Sequence, residues 1–104
     1  MKLFISQPMQ GKTPDEILRI REKAIQSVKE NFGEDVEVLD SYFADYNPDK
    51  GCTPLKYLAR SIDLLADADV AYFAKGWEEA RGCRIEHQCA LEYGLNVIDD
   101  YTDD

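Results

Sequence analysis

The sequence predicts a small doubly wound α/β domain, a parallel sheet of about four strands with helices on both faces. Three observations predict it. Short apolar runs alternate with helical patterns in the order β-α-β-α-β-α-β. The 104 residues make one domain, spanning 1–104, because two halves would each be too small to bury a useful core. Hydrophobic residues make up 44% and aromatics 11%, an ordinary globular composition that argues against disorder.

Residues 2–6 (KLFIS) form a short apolar run stopped by Gln7-Pro8, and read as a buried strand. Residues 7–12 are a loop. Thr13 then caps a helix, with Pro14 in its first turn and Glu16 completing a capping box. Ile17, Ile20, Ala24, Val28 and Phe32 recur at helical spacing, and Gly33 closes the helix. Residues 36–39 (VEVL) are the second strand. The stretch 40–53 holds Tyr42, Phe43, Tyr46, Pro48 and Gly51 without a period, and long loops in small domains are often functional. Thr53-Pro54 repeats the helix-start signal, and Leu55, Leu58, Ile62 and Leu65 mark an apolar face. Residues 69–74 (DVAYFA) are the third strand and 75–81 a loop. The third helix runs from about Gly82 to Tyr93 with Gly94 as its C-cap. Residues 95–98 (LNVI) are the last strand, and the tail DDYTDD reads as acidic and solvated.

This alternation implies a Rossmann-like or flavodoxin-like sheet, in which ligands bind beyond the carboxyl ends of the strands. The rule selects the loops at 7–12, 40–53 and 75–82. The charge narrows the ligand. Twelve Lys+Arg against 21 Asp+Glu leave a net charge of −9, which opposes nonspecific binding to nucleic acid polymers or an anionic membrane. No apolar run reaches membrane-spanning length, and the opening MKLFISQPMQ is too short in its apolar part for a signal peptide. Cys52, Cys83 and Cys89 lack C-x-x-C spacing and read as free thiols of a reducing cytoplasm, so a cytoplasmic location is expected. No metal site and no cofactor are implied, because no carboxylates cluster with His or Cys at ligand spacing.

The first loop, Ser6-Gln7-Pro8-Met9-Gln10-Gly11-Lys12, matches neither G-x-G-x-x-G nor G-x-x-x-x-G-K-[ST]. It reads as a tight strand–helix connection turned at Gly11, or as a backbone cradle near a ligand. The segment from Gly76-Trp77 to Gly82-Cys83-Arg84-Ile85-Glu86-His87 carries more information. Gly82 lets the backbone approach a ligand at a helix N-terminus. The helix dipole is expected to keep Glu86 ionised, and helical side chains lean toward the N-terminus, aiming Glu86 at the crevice. An ionised carboxylate there suits attack on an oxocarbenium-like sugar carbon, while an ordinary dipole-compensating glutamate is the plainer reading. His87 diverges from Glu86 by about 100° around a helix, so a packing or surface role is expected instead of a Glu–His dyad. Cys83 reads as a small buried residue, with a thiol pKa lowered by the helix N-terminus as the alternative. Trp77 reads equally as packing or as ligand stacking. Lys75, Arg81 and Arg84 make a basic edge that either holds a phosphate or carboxylate or pairs with neighbouring acids.

The opening KLFISQPMQG and the stretch ADADVAYFAKGWEEARGCRIEHQCALEYG together resemble the nucleoside 2-deoxyribosyltransferase-like superfamily, in an uncharacterised bacterial and phage branch. The likeness covers nearly the whole chain, and its anchors are the spacing of Gly82 to Glu86, Ala68-Asp69, and the strand-loop opening. It implies cleavage or transfer at the N-glycosidic bond of a nucleoside or nucleotide with Glu86 as nucleophile. A nucleotide-binding protein without turnover is the alternative. It implies substrate contacts from Ser6, Gln7, Met9 and Gly11 in the first loop, Ser61 in the second helix, and Gly76, Trp77, Arg81 and Gly82 around the third. A homodimer or higher homo-oligomer, with sites that borrow residues from a neighbour, is also implied. Three positions depart from the characterised pattern. Phe4 stands where a tyrosine hydroxyl orients the nucleophile, Ser61 where an aspartate handles the base, and Ala80 where a Ser or Asp contacts sugar or phosphate. Tyr42, Tyr46 and Tyr72 are the candidates to supply the missing hydroxyl.

Overall fold

In the computed structural model, residues 1–8, 11–39 and 51–101 are described. The elements follow in the order β1 (Lys2–Ser6), α1 (Pro14–Phe32), β2 (Glu37–Leu39), α2 (Thr53–Leu65), β3 (Val70–Phe73), α3 (Arg81–Glu92) and β4 (Asn96–Asp99), with a 3-10 turn at Trp77–Glu79. The strands form one parallel sheet ordered β2-β1-β3-β4. This is a doubly wound α/β domain, as the alternation predicts. The chain steps outward from β1 through α1 to β2, crosses back over β1 through α2 to β3, and continues through α3 to β4. Its direction therefore reverses between β1 and β3, and the carboxyl ends of those two strands flank the crevice where such sheets take ligands.

Two apolar layers hold the sheet. On one face α1 lays Ala24 and Val28 against Leu3, Ile5, Val70 and Tyr72. On the other, Leu65, Cys83 and Ala90 of α2 and α3 pack with Phe4, Ala71 and Phe73. The period of two in β1 and β3 divides these sets, so Leu3 and Ile5 face α1 while Phe4 faces α2 and α3. Every residue of β3 is buried, as a central parallel strand covered on both faces must be. Asp69 locks the lower edge by accepting the Lys2 backbone N–H at 2.7 Å.

Helix α1 begins and ends as its sequence predicts. The Thr13 hydroxyl accepts the Glu16 N–H at 3.2 Å and donates to the Glu16 carboxylate at 3.3 Å. Gly33 closes it in the left-handed region at φ 66°. The other boundaries shift. Helix α2 takes Thr53 into its first turn, leaving Cys52 as N-cap without a side-chain bond. Helix α3 starts at Arg81 and ends one residue early, with Tyr93 as C-cap. Of the predicted α2 face, only Leu65 is fully buried, and Leu55 is exposed. Among the described residues no helix is long and apolar enough to cross a membrane.

Candidate functional site

Ser6 is the last residue of β1, and the pleat that turns Phe4 toward α3 turns Ser6 the same way. Its hydroxyl donates to Glu86 Oε1 at 2.7 Å, and both side chains are buried, at 2% and 7% exposure. Cys83 lies three residues before Glu86 on the same stripe of α3, and the Ser6 hydroxyl also meets its thiol. A serine, a thiol and a carboxyl thus meet where β1 ends, against the switch point of the sheet.

Burial governs this cluster. Removal from water pushes the Glu86 carboxyl up from 4.5 to about 7, and the Ser6 hydrogen bond pulls it partly back. The expectation of a dipole-held carboxylate is therefore corrected. Glu86 lies six residues beyond the N-cap Ala80, and the helix field fades within the first turn. Desolvation then outweighs the dipole. Burial likewise raises the Cys83 thiol, with the Glu86 charge adding to it, so the buried reading of Cys83 holds and the lowered-pKa alternative fails.

The loop after β3 is built on Gly76, whose φ of 90° only glycine adopts without strain. It turns the chain into the 3-10 turn and brings Trp77 over α3. Trp77 stacks on His87 at 3.9 Å between ring centroids and meets Phe73 edge-on at 5.8 Å. His87 Nε2 in turn lies 2.9 Å from Asp99 Oδ1 at the end of β4. His87 therefore packs, as its angle to Glu86 requires, and Trp77 packs with it. Yet among the described residues the buried Trp77 Nε1 has no hydrogen-bond partner, and neither has the buried Oε1 of Gln7, the residue after Ser6. Orphaned polar atoms in a protein interior are costly, and both of these belong to crevice loops.

The remaining predicted positions divide. Gly11 is exposed with φ 78°, and among the described residues nothing lies within 4 Å of where its β-carbon would be, so it serves the turn. Gly82 is an ordinary helical residue in the first turn of α3. Among the described residues a β-carbon there would meet only Leu58 Cδ1, at 4.0 Å. Arg81 is exposed. Ser61 is half-buried on α2, and no hydrogen bond joins it to Glu86. Met9, Tyr42, Tyr46 and most of the loop at 40–53 lie outside the described residues.

Three further expectations are corrected. Tyr72 supplies no hydroxyl to Glu86: it faces α1, and its OH donates to Asp100 Oδ2 at 2.8 Å. The start of the tail is not solvated. Asp100 is buried and also pairs with Lys23 at 3.0 Å, and Asp99 holds His87. Nor is there a single basic edge. Arg84 donates to the Glu78 carbonyl at 2.8 Å, while Lys75 lines a cavity on the α1 face. Sequence reasoning placed Ser6 at the site but missed it as the partner of Glu86. The alternation Phe4-Ile5-Ser6 carries that signal, since it puts Ser6 on the same face as Phe4, the position without a hydroxyl. Among the described residues no group of three or more His, Cys, Asp and Glu could hold a metal ion.

A search of curated proteins finds no match to this sequence. A family profile described as a domain of unknown function, DUF4406, matches residues 1–99. The match takes in all four strands, all three helices and the Ser6–Glu86 pair, and the chain belongs to the DUF4406 family.

Proposed function

We propose that this protein cleaves or transfers at the N-glycosidic bond of a nucleoside or nucleotide, with Glu86 as nucleophile. The observation that carries the reading is the buried hydrogen bond from Ser6 to Glu86 Oε1 at the carboxyl end of β1. It occupies one carboxylate oxygen and leaves the other to react. The resemblance to the deoxyribosyltransferase-like superfamily adds the substrate class. In the reaction, Glu86 forms a C–O bond to the sugar C1′ as the C–N bond breaks. The base leaves with the bonding pair and takes up a proton from solvent water. Water or a second base then displaces the carboxylate, restoring Glu86. Self-association into a homodimer or higher homo-oligomer belongs to the same proposal.

The test is base release from a panel of deoxyribonucleosides and their 5′-monophosphates, followed by chromatography. Release should exceed that of Glu86→Ala. It should rise with pH through about 7, because only the ionised carboxylate attacks. Ser6→Ala should move that limb to higher pH, since the Ser6 bond is what lowers the Glu86 pKa. Release equal to the Glu86→Ala control across the panel counts against the proposal, and a rate that falls through pH 7 would assign Glu86 as a general acid instead.

A second reading, binding without turnover, is favoured by two positions. Phe4 is a buried apolar residue, and Ala80 offers no side-chain cap to α3. It requires a ligand that stabilises the protein and is recovered intact.

A further inference from the structure

A cavity of about 560 Å³ lies on the α1 face of the sheet, lined by Lys12, Glu16, Arg19, Ile20, Lys23, Lys75 and Asp100. Residues 16, 19, 20 and 23 form one stripe of α1, at the spacing of successive helical turns. Lys12 enters from the loop before that helix, Lys75 from the end of β3 and Asp100 from the end of β4. Four cations thus converge with two carboxylates on one cavity, in a chain whose net charge is −9.

The two carboxylates are already engaged. Asp100 accepts from Tyr72 at 2.8 Å and pairs with Lys23 at 3.0 Å, and Glu16 accepts from its own cap, Thr13. Lys12, Arg19 and Lys75 have no hydrogen bond or ion pair from their side chains to the described residues. Four cations against two carboxylates leave the lining net positive, like charges so gathered repel, and an anion between them lowers that cost. The volume lies within the range of about 300–1,000 Å³ typical of small-molecule sites.

We infer that this cavity binds a small polyphosphate-bearing anion. A guanidinium presents a planar fork to phosphate oxygens, and lysine ammonium groups supply point charges around it. The two carboxylates favour a compact, highly charged ligand over a single weak anion, because a net positive lining must outweigh them. The site is distinct from Glu86, which belongs to α3 and lies on the opposite face of the sheet from α1. It stands whether or not the N-glycosidic reading does.

Inorganic tripolyphosphate is the probe, titrated into the full chain by calorimetry and by amide NMR at constant ionic strength. Binding is expected with shifts at Lys12, Arg19 and Lys75. The exposed pair Arg19→Gln and Lys75→Gln, combined, should weaken it about tenfold or more, because two charge-assisted contacts are lost. Glu86→Gln should bind as the wild type does. Citrate, of similar charge but without phosphate, should bind more weakly. The inference is overturned if tripolyphosphate does not bind at millimolar concentration. Equal binding by the double variant, loss of binding in Glu86→Gln, or citrate binding as tightly each overturns it too.

Discussion

At the scale of single residues, the protein holds a carboxyl where water would otherwise keep it ionised. Glu86 has a folded pKa near 7 against 4.5 in the unfolded chain, so the folded state holds its proton more tightly. The contribution of this group to stability is therefore full below about pH 4.5. It declines as pH rises toward 7 and levels off above, where the withdrawn stability reaches about 3 kcal/mol. A glutamine in place of Glu86 would mimic the protonated form at every pH and still accept from Ser6 through its amide oxygen. Glu86→Gln should consequently match the wild type near pH 5 and exceed it by about 2–3 kcal/mol near pH 8, measured by urea unfolding at both values. A difference that does not change with pH would show that Glu86 is not desolvated in solution. A carboxyl whose ionisation works against the fold is no source of stability above its pKa, and such groups are candidates for chemistry.

At the scale of elements, the sequence announces those whose signals are local. Strand β1 and the capped ends of α1 are legible because Thr13, Pro14, Glu16 and Gly33 act within a few residues of themselves. The 3-10 turn Trp77–Glu79 is not, because no cap or period marks three residues. It exists because Gly76 turns the chain and Trp77 finds His87, ten positions on, to stack against. The two glycines of this region also look alike in sequence and differ in function. At Gly76 a side chain is penalised by backbone conformation alone, since a β-carbon would stand a comfortable 3.8 Å from Pro8 Cγ. Gly76→Ala should cost about 1–2 kcal/mol in chemical denaturation. Gly82, at ordinary helical angles with room for a methyl, should tolerate alanine and gain about 0.5–1 kcal/mol from helix propensity. Equal losses at both positions would show that Gly82 is confined by a contact not made by Leu58.

At the scale of the whole molecule, alternation of strand and helix was enough to give the architecture, and topology then determined what sequence order concealed. Ser6 and Glu86 lie 80 residues apart, and only the placement of β1 beside β3, with α3 over that face, makes them partners. The same topology pulls Asp99 and Asp100 out of an apparently solvated tail, since β4 ends beside β3 and delivers them to opposite faces. It also leaves apolar side chains outside the two cores. Leu55 is 59% exposed, Leu91 58% and Tyr93 86%, while α2 buries one residue of its predicted face. A second copy would cover such side chains, and two copies of net charge −9 repel each other. Salt should therefore decide the balance, because screening shortens that repulsion to about 10 Å at 0.1 M ionic strength while leaving apolar contact intact. Light scattering should give a mass at least twice 11.9 kDa at about 0.3 M sodium chloride, falling toward the single-chain value at about 0.01 M. Leu91→Glu should favour the single chain at both salts by adding a charge to the covered face. A mass of 11.9 kDa at every salt concentration would remove the oligomer from the proposal and require the Ser6–Glu86 site to work with one chain alone.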